Sequence, residues 1–536
     1  MKHTQHIALL WVGALTLMGC NESSFMSAER SAYDTGYWGS PEANDGGGSW
    51  SGTDTSGTST TGEPEAPDDA YLLPPAQTDV YVFIANPERD TVTRVNVLTN
   101  EVRTTEVGRE PSTVLTTPDY RRAAVFNQGD DSVSIITSDT LAVETVAVRD
   151  NFNRMVMSPN GSWVGLWHDQ QVDEGGSPDG LQSFNEVSFV NLLTGEHFPM
   201  AVGFNPRKVV FTPDESLASV VSDAYLALVD LTLDQPLPEL IALTDDLIDP
   251  PAAEEILLSP DGSFAFVRQF GVEDLVVVDL ATRIVDLIPV GSNPTDMDLS
   301  PAGDRAYIVA RGSNEVHILD TSDPFAPATV VDLPDGIPLG SLLLDPTGDL
   351  GVIYTTSSNL DVYATWDRMT DEVQLRPLIK PVSGMAITPT GESMMAFHTK
   401  EDADGASSSS PFYNAWALSL ISLDNNFLAN PLKLDGEAIG HTNGSNGNHG
   451  YFIMEGEDAL VQIDYRTLLH ETIELRSAPV FVGVLPDLDI ADGDEPKAWV
   501  SQEHPLGRIS FFDPDDTSLE TITGFELNSE IEGDDQ

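Results

Sequence analysis

Three histidines of this 536-residue chain stand beside carboxylates in polar stretches: His168 with Asp169, His398 with Glu401 and Asp402, and His504 with Glu503. Neutral imidazole together with carboxylate oxygen suits a divalent metal ion. The segments are HDQQVDEGGSPDGLQSFNE from His168 to Glu186, HTKEDADGASSSSPFYN from His398 to Asn414, and QEHPLGR around His504. They form one ligand face if the fold converges them; otherwise they are solvated loop residues set far apart. A fourth stretch, GHTNGSNGNHGYF, carries His441 and His449 on either side of a Gly/Asn-rich loop. The acidic run DLDIADGDE offers Asp487, Asp489, Asp492 and Asp494 with a glycine for the turn. Hard cations such as Ca²⁺ take several oxygens from such a loop, so this is the candidate calcium site, although its spacing is not that of an EF-hand. There is no GxSxG elbow, no GxxxxGK[ST] phosphate cradle and no HExxH pair. The single cysteine, Cys20, excludes an intramolecular disulfide framework and a cysteine-based zinc site.

Composition narrows the classes further. Lys and Arg number 25 against 86 Asp and Glu, a formal net charge of -61. A nucleic-acid binder needs basic stripes that release phosphate counterions, so that class is excluded. The same charge repels an anionic lipid surface and favours solubility, cations or partners with basic patches. Hydrophobic residues at 40% are enough for a sizeable core.

The chain opens with MKHTQHIALLWVGALTLMGC. One lysine is followed by an apolar run from Ile7 to Leu17, too short for a membrane-spanning helix, which needs about 20 residues. This is the architecture of an export signal. Leu17-Met18-Gly19-Cys20 resembles the lipobox of bacterial lipoproteins. That resemblance implies cleavage after residue 19 and lipidation of Cys20. Each buried lipid CH₂ contributes about 0.8 kcal/mol, so several chains anchor stably. Asn21 in place of the inner-membrane retention Asp points to the outer membrane of a Gram-negative cell. Residues 20–68 hold the lipidated cysteine and a Gly/Ser/Thr/acidic linker that cannot bury enough apolar surface to order itself. A coil of that length reaches about 35–42 Å, enough to hold a folded domain clear of a bilayer.

The rest of the chain repeats. A turn of the form Ser/Thr/Asp-Pro-x-Gly returns as TPDY, SPNG, TPDE, SPDG, SPAG, DPTG and TPTG, at intervals of 41 to 54 residues. Weaker copies near Pro75, Ser445 and Pro486 bring the count to about ten units. Each unit contains four short apolar runs. One reads EEILLSP, SFAFVRQ, EDLVVVDL, IVDLIPV, and the next TDMDLSP, RAYIVAR, EVHILDT, ATVVDL. Runs of four to eight Val/Ile/Leu/Phe-rich residues bounded by Gly, Pro, Asp or Asn are strands. Four strands per 40–45 residues is the pattern of a propeller blade, which buries both faces only by stacking on its neighbours. The fold class is therefore all-β, a β-propeller of four-stranded antiparallel blades over residues 69–527, with an acidic tail at 528–536.

RAAVFNQGDDSVSIITSDTLAVETVAV and RAYIVARGSNEVHILDTSDPFAPATVVDL resemble the YVTN-type propeller repeat, and Val107-Gly108 with Pro111 and Val290-Gly291 with Pro294 carry its VGxxP element. The YVTN tetrapeptide itself is never intact. The family's usual ring has seven blades, so ten units imply degenerate copies, an unusually large ring or two rings. The resemblance implies a binding or scaffold role and transfers no catalytic residue. The acidic 487–495 loop is also similar to the DxDxDG loops of calcium-binding propellers, with one residue too many. The Ser/Thr-Pro-x-Gly turns lie on one face and read as structure. The long insertions after the second strands of units three and eight lie on the other, where binding tends to reside. The expected function is a lipid-anchored, non-catalytic envelope module that binds a protein or glycan partner. The alternatives are a lactonase-like or metal-dependent enzyme on the same ring, and a surface-layer structural component.

Overall fold

A computed structural model describes residues 75–169, 184–356, 358–424, 426–444, 447–467, 469–486 and 496–525. These residues form ten four-stranded antiparallel sheets, each a simple meander of consecutive strands, arranged as a β-propeller. We call the strands of each blade a to d. The blades span 76–106, 111–147, 154–201, 206–242, 253–289, 294–332, 341–377, 382–433, 438–474 and 479–523. The expected fold class is thus observed, with ten blades. Among the described residues the only helix is the single 3-10 turn Pro87–Arg89, and no helix is long and apolar enough to cross a membrane.

Sequence explains the burial of each strand position. In blade 5, strand b (Phe264–Gln269, FAFVRQ) and strand c (Asp274–Asp279, DLVVVD) are near-continuous apolar runs, because neighbouring blades cover both faces. Strand d (Val285–Pro289, VDLIP) forms the perimeter and is largely exposed or half-buried. Ten apolar clusters fill the spaces between neighbouring blades, among them Phe83, Val92 and Ile136 between blades 1 and 2, and Tyr307, Val316 and Trp366 between blades 6 and 7.

One of these clusters closes the ring. Val82, Ile84 and Val95 of blade 1 pack on Trp499, Ile509, Phe511 and Phe525 of blade 10. Gln77 Nε2 donates to Val484 O at 2.6 Å, Trp499 Nε1 donates to Gln77 Oε1, and Asn100 Nδ2 donates to Glu520 Oε2 at 3.0 Å. Every blade is built from its own contiguous strands, so closure rests on side chains rather than on a strand shared between the chain ends.

The recurrent Pro turns join strands a and b. The residue before the proline accepts the N–H of the returning strand: Trp163 N–H donates to Ser158 Oγ at 2.9 Å, Phe264 N–H to Ser259 Oγ at 2.9 Å, and Leu350 N–H to Asp345 Oδ1 at 2.8 Å. The fourth position is left-handed, with φ of 73° at Gly161 and 68° at Gly262. Glycine takes that conformation without strain. Blade 4 has Glu215 there at φ 57°. Its carboxylate reaches the turn of blade 3, accepting from Ser158 Oγ at 2.5 Å and Asn160 N–H at 2.6 Å. A backbone cost of about 1–2 kcal/mol is offset by an inter-blade clamp.

Candidate functional site: the rim of the ring

In a four-stranded meander the a–b and c–d turns share one face; the b–c loops and the d–a connections between blades share the other. This second face carries the blade 8 insertion, residues 399–416, while residues 170–183 of the blade 3 insertion lie outside the described residues; strand a shapes the inner edge of the face. In seven blades strand a bulges at its second residue: Ser112, Arg207, Glu254, Thr295, Ser383, Ile439 and Val480. A bulge leaves its residue out of the ladder and re-aims the side chain. In blades 2, 4, 6 and 10 the preceding residue is the proline that opens the strand, which has no N–H to contribute. Charges on this edge pair locally. Arg207 Nε lies 2.9 Å from Asp223 Oδ1, and Arg268 contacts Glu254 and lies 3.1 Å from Glu255 Oε2.

The structure places the three expected histidines in blades 3, 8 and 10: His398 ends strand b, His168 follows it by one residue and His504 by two. His398 is 2% exposed. Its Nδ1 lies 2.9 Å from Lys380 O, a pure acceptor, so Nδ1 carries the proton. Its Nε2 accepts from Ser419 Oγ at 2.8 Å. Burial lowers its pKa from 6.5 to about 4 and keeps it neutral. His168 is also buried, with Nδ1 2.8 Å from Asn151 O and its ring edge-on to Phe184. Asp169 interlocks with Asn153 through two hydrogen bonds and lies 3.8 Å from Arg154. His504 Nδ1 accepts Leu506 N–H at 3.1 Å, while Glu503 is exposed and its N–H donates to Ala478 O. Glu401 is exposed, and its carbonyl accepts from Thr399 Oγ1.

Blades 3 and 8 are five blades apart around a ring of ten, so His168 and His398 stand on opposite sides. Among the described residues no three His, Cys, Asp or Glu side chains are grouped to hold a metal ion. His441 lies on strand a of blade 9, its ring centroid 5.0 Å from that of Phe397, and His449 opens strand b, 3.8 Å from Asp464. The candidate calcium ligands Asp487, Asp489, Asp492 and Asp494 and the lipidation candidate Cys20 lie outside the described residues.

His398 belongs to a repeated framework. The last residue of strand b is Asn86 in blade 1, Asn127 in blade 2 and Gln502 in blade 10. Each donates to a hydroxyl at the third position of strand c: Asn86 to Thr93 at 2.9 Å, Asn127 to Ser134 at 3.0 Å, Gln502 to Ser510 at 2.6 Å. Those hydroxyls meet Thr104, Thr145 and Thr521 on strand d. Ser419 is the corresponding hydroxyl in blade 8. His398 thus engages the strand c hydroxyl in its blade as an amide does in three others, although it accepts from that hydroxyl where the amides donate to it.

A second feature, invisible to motif reading, is Lys380 in the connection entering blade 8. It is 2% exposed. Its Nζ donates at 3.0 Å each to the carbonyls of Lys400, Phe412 and Ala415 and lies 2.8 Å from Asp402 Oδ1. Asp402 Oδ2 also accepts Asn414 N–H at 2.8 Å. The insertion after His398 is therefore stapled from beneath, and Asp402 is part of the staple.

Fold and rim together define a ten-bladed β-propeller whose insertion-bearing face rests on a rigid polar frame. No protein-family model matches the chain, and no curated protein does. Similar solved structures include the dihydro-heme d1 dehydrogenase NirN in complex with DHE, at 14% identity, TM-score 0.43 and 76% of each chain. A eukaryotic initiation factor is similar at 12% identity and TM-score 0.49, over 74% of this chain and 97% of that one. Kuenenia stuttgartiensis hydrazine synthase is similar at 17% identity and TM-score 0.31, over 59% of this chain and 98% of that one.

Proposed function

We propose that this chain is a lipid-anchored, non-catalytic binding scaffold of the Gram-negative cell envelope, carried on YVTN-like repeats. Cys20 holds the lipid, residues 21–68 tether the ring, and the b–c face engages a protein or glycan partner. The observation that carries the reading is the use of the rim's reactive side chains as framework. His398 has both ring nitrogens engaged, and Asp402 is bound to a buried lysine. An enzyme built on these histidines would need His168, His398 and His504 in one site, and they stand in three separated blades. The excess of carboxylates supports a partner with basic patches.

Two measurements test this reading. Cys20→Ala releases the protein from the membrane fraction; retention there refutes the anchor. Metal analysis of the purified chain with and without His398→Gln tests the scaffold: a stoichiometric metal lost on that substitution refutes it.

A further inference from the structure

The rim is not uniform. The connection from blade 4 to blade 5, residues 243–252, reads LTDDLIDPPA. Its tip points Leu247 and Ile248 into solvent, and Ile248 is 97% exposed. This is a built conformation: Asp246 Oδ1 accepts the N–H groups of Ile248 and Asp249 at 3.0 and 3.1 Å, and Thr244 Oγ1 accepts the N–H of Asp246 at 3.2 Å. Phe270, 68% exposed, begins the b–c turn of blade 5 at the foot of the same loop. Its N–H donates to Ala252 O at 2.8 Å, and Gln269 Nε2 donates to Pro251 O at 3.4 Å. Phe204, also exposed, lies in the preceding connection on the same face. Asp245, Asp246, Asp249, Glu273 and Asp274 flank these apolar residues in the two segments, and neither segment, 243–252 or 270–274, contains a Lys or Arg.

We propose that Leu247, Ile248 and Phe270 form the anchor of a docking surface for a protein partner that presents an apolar face flanked by lysines or arginines. Resting on the scaffold reading above, this assigns the partner's chemistry and its place on the ring. Apolar side chains exposed together on one loop and its foot, in acidic segments, are the pattern of an interaction site, whereas singly scattered ones are ordinary. The carboxylates supply the charge that steers and registers a basic partner. The same carboxylates oppose an anionic bilayer, which separates this surface from a membrane-inserting tip.

The test uses the full chain and a fluorescent amphipathic helical peptide made of lysine and leucine. The double variant Ile248→Ser/Phe270→Ser keeps the net charge, so its effect reports the apolar anchor alone. Its affinity for the peptide falls about tenfold or more. Asp245→Asn/Asp249→Asn weakens binding and flattens its salt dependence. Leu98→Ser/Leu469→Ser, away from this face, binds as the parent does. Parent-like binding by the Ile248/Phe270 variant overturns the proposal, as does Ile248/Phe270-dependent binding to zwitterionic vesicles in place of the peptide. Peptide binding that survives this variant but is lost when the 399–416 insertion is deleted overturns this placement and leaves the scaffold reading standing.

Discussion

The framework role of His398 has a consequence for acid stability that no loop ligand would share. In the folded chain the imidazole is neutral, and its pKa is lowered from 6.5 to about 4. The unfolded chain, titrating near 6.5, binds the proton first. Wherever the unfolded state binds more protons, stability rises with pH. The contribution is therefore complete above about pH 6.5 and is lost as pH falls from there toward 4. At 1.36 kcal/mol per unit, the full loss is about 3 kcal/mol. Replacing His398 by Gln supplies an amide at the position Gln502 fills in blade 10, removes the titration and costs less than about 1.5 kcal/mol near neutrality. Replacing it by Ala leaves Lys380 O and Ser419 Oγ unpaired and opens a cavity, costing about 2–4 kcal/mol. Denaturant unfolding of parent and His398→Gln at steps between pH 7.5 and about 4 isolates this term, because every other titration cancels in the difference. The variant gains on the parent as pH falls and is the more stable by about pH 4.5. Parallel curves, or an Ala variant as stable as the Gln variant, refute the framework assignment.

Three further outcomes follow from the geometry. Lys380→Met strips three carbonyls and Asp402 of their partner, so limited proteolysis cuts first within 399–416 and stability falls by about 2–4 kcal/mol. Glu215→Gly relieves a left-handed backbone yet loses the clamp on the blade 3 turn; denaturant midpoints show net destabilisation, whereas a gain would mean that the clamp contributes nothing. Trp499→Ala removes the ring from the closing cluster and costs about 3–5 kcal/mol, with hydrogen exchange rising first in blades 1 and 10.

Much of the fold was legible because blades repeat. Apolar runs such as FAFVRQ and DLVVVD, set between Pro-x-Gly turns, fix strand identity and the burial of both faces. About ten units were visible in the spacing, but the spacing left open whether they made one large ring, two rings or a smaller ring with degenerate copies; the ten sheets decide that. Closure was not visible, because it depends on Gln77, Trp499 and Glu520 meeting partners some 400 residues away in sequence. The site was read less well. His398, Glu401 and Asp402 look alike as polar residues next to an insertion. Only pairing the repeats shows that His398 falls where Asn86, Asn127 and Gln502 fall, at the end of strand b opposite a hydroxyl on strand c. That signal is in the sequence and needs the blades aligned to be seen. Lys380 carries no such signal: a lysine before Pro381 reads as solvent-exposed, and its burial arises from carbonyls that the insertion brings back over it.

The account depends most directly on ten blades closing into one ring. With Cys20 changed to Ser, Asn100→Cys and Glu520→Cys are the only thiols in the chain, and the parent side chains are 3.0 Å apart across the blade 1–blade 10 junction. A short bis-maleimide at high dilution links them within one molecule, giving a single monomeric species whose digest joins the two ends. A chain that stays unlinked, or links only between molecules, has its first and last blades apart and contradicts the closed ring.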